Sequence, residues 1–274
     1  MPRAILIATL AAGLGGCATA SLNYTDPAGP RYAAAVPARA GAPDTLSVVA
    51  FNVKFGERVD RVVQLLREDG PLHEPDVLLL QEMDEAGTRA IADSLGVGYV
   101  YYPSTLHPLT KRDFGNAVLS RFPILEDRKI VLPHLARFRH TLRAAVGATI
   151  VVGTRRLRVY SVHIATFVAN GPHDRREQLA AVLADADAYP LVVMGGDFNS
   201  ETVPEIAVPR GYLWPTRNLP HTDAFWTLDH LLFKGLTLAA PPAVGLVREV
   251  RGASDHKPVW ARVVLPEERT ALVR

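Results

Sequence analysis

From residue 46 onward, apolar runs of strand length recur along the chain, separated by polar or glycine-bearing connections. The runs LSVVAFNV (46–53), DVLLLQE (76–82), YVYYP (99–103), GNAVLSR (115–121), TLRAAVGATIVV (141–152), LRVYSVHI (157–164), LVVMGGDFN (191–199), HLLF (230–233) and VWARVVL (259–265) predict strands. Several are too continuously apolar to leave a wet face, so they read as strands buried on both sides. Helical spacing appears elsewhere. In RVDRVVQLLRE, Val59, Val62, Val63 and Leu66 recur at intervals of three and four, with charges opposite. In HDRREQLAAVLADADAYP, Leu179, Val182 and Leu183 form a comparable stripe, and Asp174 is placed to cap the start. Buried strands with a few helices between them predict an α/β fold in which sheet packs on sheet and the helices lie outside.

The pattern differs before this region. Residues 1–16 carry an early Arg3, an apolar run from Ala4 to Leu14 and then small residues, which is the layout of an export signal. The run is too short for a membrane span. Leu14-Gly15-Gly16-Cys17 resembles a bacterial lipoprotein signal, in which cleavage before the cysteine frees its thiol for lipid attachment. Ala18 follows, without the aspartate that resembles an inner-membrane retention signal, so the expected location is the outer membrane. The alternative is an ordinary export signal with an incidental cysteine. Residues 17–43 are rich in Ala, Pro and Gly without periodicity and read as a tether. The folded domain is expected over 44–265, with a tail over 266–274.

Composition narrows the classes. With 274 residues and 48% hydrophobic content, the chain can bury a substantial core, which excludes a disordered protein. Charged residues make up 21% and the formal net charge is +2, so no strong basic field marks a dedicated nucleic-acid binder. Cys17 is the single cysteine, which excludes an intrachain disulfide and disfavours a structural zinc site.

Chemistry-bearing residues collect where the apolar runs end. Asp197 and Asn199 follow LVVM two positions apart, so a persisting strand would point both to one side, with oxygens suited to a hard cation or a phosphate-bound water. A strand-terminating turn is the plain alternative. Asn52 follows SVVAF and Glu82 follows DVLLLQ. A buried carboxylate needs compensation, which a divalent cation supplies, although Glu82 also fits the first turn of a helix in LQEMDEAG. His163 ends RVYSVH, Asp229 precedes HLLF, and Asp255 with His256 precedes the last run. The chain has nine histidines, so each alone means little; the ordered set at separate strand ends is the signal.

The ordered set FNVKF, LLLQE, GNAVLSRFPI, SVHIA, GGDFNS, LDHLLF and SDHKPVW resembles the endonuclease/exonuclease/phosphatase superfamily, over residues 44–265. The resemblance implies a four-layer α/β/β/α sandwich of two mixed sheets with the site at one end. It implies Mg²⁺, or Mn²⁺ in its place, with Glu82 the first metal ligand, Asn52 beside it and Asp255 contributing directly or through water. His256 is then the general base or the phosphate's electrostatic partner, with Asp229 fixing its tautomer. Asp197 would orient the attacking water, and Asn199 and His163 would bind phosphoryl oxygens. The expected activity is hydrolysis of a phosphodiester or phosphomonoester by in-line attack of water.

Several points stay open at this level. Asn116 fits either the site or a turn that begins a strand. Arg112, Arg139 and Arg143 suit phosphate geometry, yet each alone reads as solvated charge. Tyr99, Tyr101 and Tyr102 fit a cleft edge or a core-packed strand. No substrate-selecting loop is recognisable over 201–226. The near-neutral charge argues against nonspecific nucleic-acid binding and a tether argues for a phospholipid or a small periplasmic phosphoester, so nuclease and phospholipid or sphingomyelin phosphodiesterase both remain. A noncatalytic binding lipoprotein on the same scaffold is the rival from another class. The anchor has a direct test: the chain is expected to incorporate labelled fatty acid, and Cys17→Ser to incorporate none; labelling that survives the substitution would contradict it.

Overall fold

The computed structural model describes residues 22–35 and 41–267; the expected export signal, Cys17 and the tail from 268 onward lie outside the described residues. In chain order the strands are β1 (Tyr32–Ala34), β2 (Thr45–Asn52), β3 (Val77–Met83), β4 (Gly98–Leu106), β5 (Asp113–Ser120), β6 (Ile124–Val131), β7 (Ala144–Val152), β8 (Arg155–His163), β9 (Val192–Asp197), β10 (Asp229–Lys234), β11 (Thr237–Leu238), β12 (Val244–Leu246) and β13 (Val259–Val264). The helices are α1 (Val59–Glu68), α2 (Glu85–Leu95) and α3 (Pro172–Ala186). One sheet runs β1-β4-β5-β3-β2-β13-β11, with β12 also on β13, and the other runs β10-β9-β8-β7-β6. Both are mixed, because β2 pairs parallel with β3 and β8 parallel with β9 among antiparallel neighbours.

Period-two alternation explains the layers. On β2, Val48 and Ala50 point between the sheets, where they meet Leu79, Val146, Val159 and Leu231. Val49 and Phe51 point the other way, onto Val62, Leu65 and Leu66 of α1 and Ile91 of α2. Across the second sheet, Tyr160, Val162 and Met194 are covered by Leu179, Val182 and Leu183 of α3. Both faces of the central strands are therefore dry, which is why their sequences lack polar alternation. The result is the expected α/β/β/α sandwich, each sheet carrying its own helical cover.

Three differences from the sequence reading have local causes. Helix α2 went unread because its buried face is Gly87, Thr88, Ile91 and Ala92, too weakly apolar to make a stripe. Its ends are well specified: the Asp84 carboxylate accepts from Gly87 N at 2.8 Å, and Gly96 closes it at φ 64°. Asp174 is not the cap of α3; Gly171 precedes the helix and Asp174 sits in its first turn, where a carboxylate is still favoured. Part of the expected tether is ordered. Residues 32–34 add an edge strand to β4, the Lys129 ammonium donates to Tyr24 O at 2.8 Å, and Arg31 pairs with Asp127 at 2.6 Å. Composition concealed this because the partners are distant in sequence.

The tyrosines of β4 belong to packing. Tyr99 and Tyr101 face the helices and Tyr102 the inter-sheet core, with hydroxyls of Tyr101 and Tyr102 donating to Met83 O and Asp127. Asn116 also acquires a definite role. Its amide donates to Ala144 O at 2.8 Å and Ser161 O at 3.2 Å, joining β5 of one sheet to β7 and β8 of the other. Gln81 Nε2 donates to Ser161 Oγ at 2.9 Å, and that hydroxyl donates to Leu80 O at 2.8 Å. This polar strut fixes the separation of the two sheets beside the strand ends discussed next.

Candidate active site

Glu82 reaches its position through a local break in pairing. The β3–β5 register shifts between Leu80 and Met83, and Glu82 itself has φ 59°. A bulge re-aims a side chain, and a left-handed glutamate is a strained residue of the kind that gathers at functional sites. The turn after β2 meets it: Lys54 and Phe55 have φ 46° and 55°, and Phe55 N donates to Glu82 Oε2 at 3.1 Å. Asn52 spans two acids, its amide donating to Glu82 Oε1 at 3.2 Å and to Asp197 Oδ2 at 3.0 Å. Its own oxygen accepts from Lys54 N at 3.1 Å. Asn52 thus holds Glu82 in place, and its oxygen, engaged once by the backbone, keeps a second lone pair.

The pair Gly195-Gly196 lets β9 run close to its neighbours. A Cβ on Gly195 would lie 2.5 Å from Leu231 Cδ2, and one on Gly196, at φ 144°, would lie 2.0 Å from Val162 O. Asp197 follows as the last residue of β9 and is buried. The strand-terminating turn, the second of the two sequence readings, brings Asn199 to it rather than strand alternation. The strand stops at Asp197, Asn199 adopts φ 46°, and its backbone N donates to Asp197 Oδ1 at 2.7 Å. The Asn199 amide donates to Asp197 Oδ2 and to Ile164 O, both at 3.1 Å, so this side chain braces the acid instead of presenting itself to a phosphate.

His163 and Arg143 approach from the other side. A guanidinium can only donate, so the 3.1 Å contact from Arg143 Nη1 makes His163 Nδ1 the acceptor and leaves its proton on Nε2, 3.4 Å from Asp197 Oδ2. Sequence reasoning left Arg143 among the solvated charges; it is a half-buried basic group whose charge acts on Glu82 and Asp197, and its guanidinium lies 5.0 Å over Phe114. Position in a run of apolar and small residues, TLRAAVGA, was the available signal. Arg112 instead pairs with Asp84 at the start of α2.

His256 completes the cluster. Its Nδ1 lies 2.8 Å from Asp229 Oδ2 and its Nε2 lies 4.0 Å from Asp197 Oδ2. Asp229 is held by its own backbone, since Thr222 Oγ1 accepts from the amides of Leu228 and Asp229 at 2.9 and 3.1 Å. Lys257 clamps the same loop by donating to His221 O and Asp223 O. Asp255, expected as a metal ligand, stands apart: its side chain is 58% exposed and its nearest cation is Lys54 at 3.7 Å. Next to His256 in sequence, it marks the rim rather than the floor.

A cavity of about 360 Å³ opens onto this cluster, with Glu82 and Arg143 in its wall beside Phe55, His107, Phe114 and Phe138. Arg139 also lines it. Fold and site together define a two-sheet α/β sandwich that gathers acids, amides, histidines and an arginine at one end. Residues 49–256 match the endonuclease/exonuclease/phosphatase family, and the chain belongs to that family. Solved structures share the fold. A Beutenbergia cavernae endonuclease/exonuclease/phosphatase is 18% identical with TM-score 0.66, covering 84% of this chain and 74% of that one. D. rerio TDP2, complexed with single strand DNA product, is 16% identical with TM-score 0.64 over 81% and 99%. The human Nocturnin catalytic domain, with bound sulfate anion, is 16% identical with TM-score 0.63 over 86% and 98%. No curated protein sequence matches.

Burial dominates the electrostatics. It raises the carboxyl of Glu82 despite Arg143, and it raises Asp197, to which Asp229 and Glu82 add their negative charge against His256. Burial and Arg143 hold His163 well below the ordinary imidazole value, keeping it neutral. His256 goes the other way: burial lowers it, but Asp229 overrides through charge and hydrogen bond, with help from Asp197 and Glu82, so the imidazolium persists at neutral pH. The sign for stability follows. His256 is charged in the folded chain when its unfolded counterpart, near pKa 6.5, has lost its proton, so its contribution is full below that value and shrinks as pH rises toward the folded one. In chelator, the stability difference between the parent and His256→Gln is expected to fall above pH 6.5, by at most about 1.4 kcal/mol per pH unit. Denaturant titrations at stepped pH read it; a difference that stays constant from pH 6.5 to 9 would contradict the ion pair.

Proposed function

We propose that the chain is an exported, divalent-cation-dependent phosphoesterase that hydrolyses its substrate by in-line attack of water. One observation carries the reading: groups from separate strand ends converge on the Asp197 carboxylate, with Asn52, Asn199 and His163 within 3.4 Å and His256 Nε2 at 4.0 Å. The donor set fits a hard cation. Carboxylates outnumber the cations that face them here, Asp229 Oδ1 is buried without a hydrogen-bond partner, and the described residues include no cysteine. Asp197, Asp229 and His256 also offer atoms within 4.8 Å of one another. The short Asp229–His256 contact favours reading that trio as a hydrogen-bonded relay, so that Glu82, steadied by Asn52, would hold Mg²⁺ or Mn²⁺, with Asp255 the further carboxylate at the rim. When bound, the ion neutralises charge developing on the phosphoryl oxygens.

The remaining work falls to the chain's own side chains. Asp229 fixes the His256 ring and keeps its charge, so Nε2–H donates to a phosphoryl oxygen rather than removing a proton. Asp197, with its raised carboxyl, is basic enough to accept the proton of the attacking water near neutrality. His163 and Asn199 aim that carboxylate, and Arg143 adds fixed positive charge at the cavity wall. The DNA product carried by D. rerio TDP2 and the sulfate in Nocturnin support a phosphoester substrate. Hydrolysis of bis(p-nitrophenyl) phosphate tests the reading. Turnover is expected with Mg²⁺ or Mn²⁺, is lost in chelator, and drops on the order of 10²-fold or more in His256→Ala. Equal, minimal hydrolysis in every condition would instead favour a noncatalytic binding protein.

A further inference from the structure

Exposed apolar side chains are not spread evenly over this protein. Leu109, Leu135, Phe138, Phe167, Val168 and Trp226 are all more than 40% exposed, and all belong to loops around the site. Leu109, Phe138 and Val168 line the 360 Å³ cavity whose wall includes Glu82 and Arg143. The loop 166–169 continues the patch, because Phe167 and Phe225 each meet the Trp226 ring edge to face, at 5.5 and 5.6 Å. The loops are joined: Arg137 N donates to Ala169 O at 3.1 Å, and the Asn170 amide donates to Leu135 O. Patches of this kind mark interaction surfaces, since a soluble face gains nothing by exposing them.

Where the chain enters the domain says what covers the patch. Leu22 O accepts from Leu106 N at 2.8 Å, Asn23 Nδ2 donates to His140 O at 2.7 Å, and Asn23 Oδ1 accepts from Leu142 N at 2.8 Å. Thr105, His107, Thr141 and Leu142 are cavity residues, so the entering segment lies beside the mouth. Leu22 itself is 54% exposed. Cys17 precedes it by a stretch that spans at most about 17 Å fully extended, at about 3.4 Å per residue. A lipid on Cys17 would therefore tether the chain to the bilayer from a point beside the mouth. The sequence LARFRH (135–140) places Arg137 and Arg139 on either side of exposed Phe138, a combination suited to an apolar insertion beneath anionic headgroups.

We propose that the rim formed by loops 107–111, 135–140, 166–169 and 223–226 docks on a phospholipid bilayer. The cavity then draws a bilayer-borne phosphoester down to the Glu82–His256 site, its apolar part against Phe55, Leu109, Phe114 and Phe138. This rests on the reading of Cys17 as an acylated residue and deepens the phosphoesterase reading by naming an amphiphilic substrate. A nucleic acid stacked on the same aromatic rings is the competing occupant.

Trp226 is a built-in reporter, being 41% exposed where Trp214 and Trp260 are 8% exposed. The full chain, extracted from membranes with its lipid, is reconstituted on vesicles of phosphatidylethanolamine and phosphatidylglycerol, with or without bromine in the acyl chains. Insertion predicts that brominated lipid quenches the emission lost in Trp226→Phe by about twofold or more, the depth expected of interfacial side chains. The same quenching should disappear in Leu135→Glu/Phe138→Glu, whose folding is checked by near-ultraviolet circular dichroism. Unchanged emission on brominated vesicles, persistence of quenching in the doubly charged variant, or failure of the chain to stay with the vesicles would overturn docking. A Trp226 response to single-stranded oligonucleotide without vesicles, in place of the lipid response, would transfer the surface to nucleic acid. Quenching is read without turnover, so a docked chain that hydrolyses nothing and an active chain that does not dock are distinguishable results.

Discussion

The buried Asp197 carboxyl is the constraint around which this end of the sandwich is built. A charge in that position persists only if the protein supplies what water would have supplied. It does so from segments far apart in the chain: the amides of Asn52 and Asn199, the backbone of Asn199, the Nε2 of His163, and the charges of Arg143 and His256. Each supplier is fixed in turn, Asn52 by the turn after β2, His163 by Arg143, His256 by Asp229. The site is thus a chain of mutual obligations, and removing a middle member leaves a buried charge without its partner.

Such a cluster is costly to fold. Glu82 sits in a left-handed conformation at a bulge, its carboxyl raised by burial, and Asp229 keeps one oxygen without a partner. Stability comes from elsewhere, from apolar layers on both sides of each sheet and from the Asn116–Ser161–Gln81 strut that ties the sheets together next to the cluster. A rigid scaffold that tolerates concentrated negative charge at one end is what a cation-holding pocket requires. The glycine pair before Asp197 serves the same purpose, since any side chain there would push apart the strands that deliver the acid and the histidine.

Much of this was legible in the sequence, because the strands are buried on both faces and their ends carry the polar residues. Runs such as LVVMGG and DVLLLQ announce both the strand and the place where its chemistry begins. What escaped was tertiary. Helix α2 hides behind small residues, and β1 is held by Lys129 and Arg31 contacts that composition does not encode. Arg143 looked like surface charge because its place over Phe114 is set by tertiary packing, and the apolar and small residues around it were the sole local sign. The bracing of the acids by the amides of Asn52 and Asn199 also escaped, since hydrogen-bond direction depends on partners absent from the linear pattern. Asp255 adjoins His256 in sequence yet faces Lys54 at the rim.

The pocket's capacity to hold a divalent cation is the claim on which the rest turns, and thermal unfolding with Mg²⁺ or Mn²⁺ measures it without substrate. Saturating metal should stabilise the parent, by about 2.7 kcal/mol at a hundredfold excess over its dissociation constant. Glu82→Gln should lose that gain while its metal-free form is at least as stable as the parent, a buried charge having been removed. Equal stabilisation of the two proteins by metal would contradict the account.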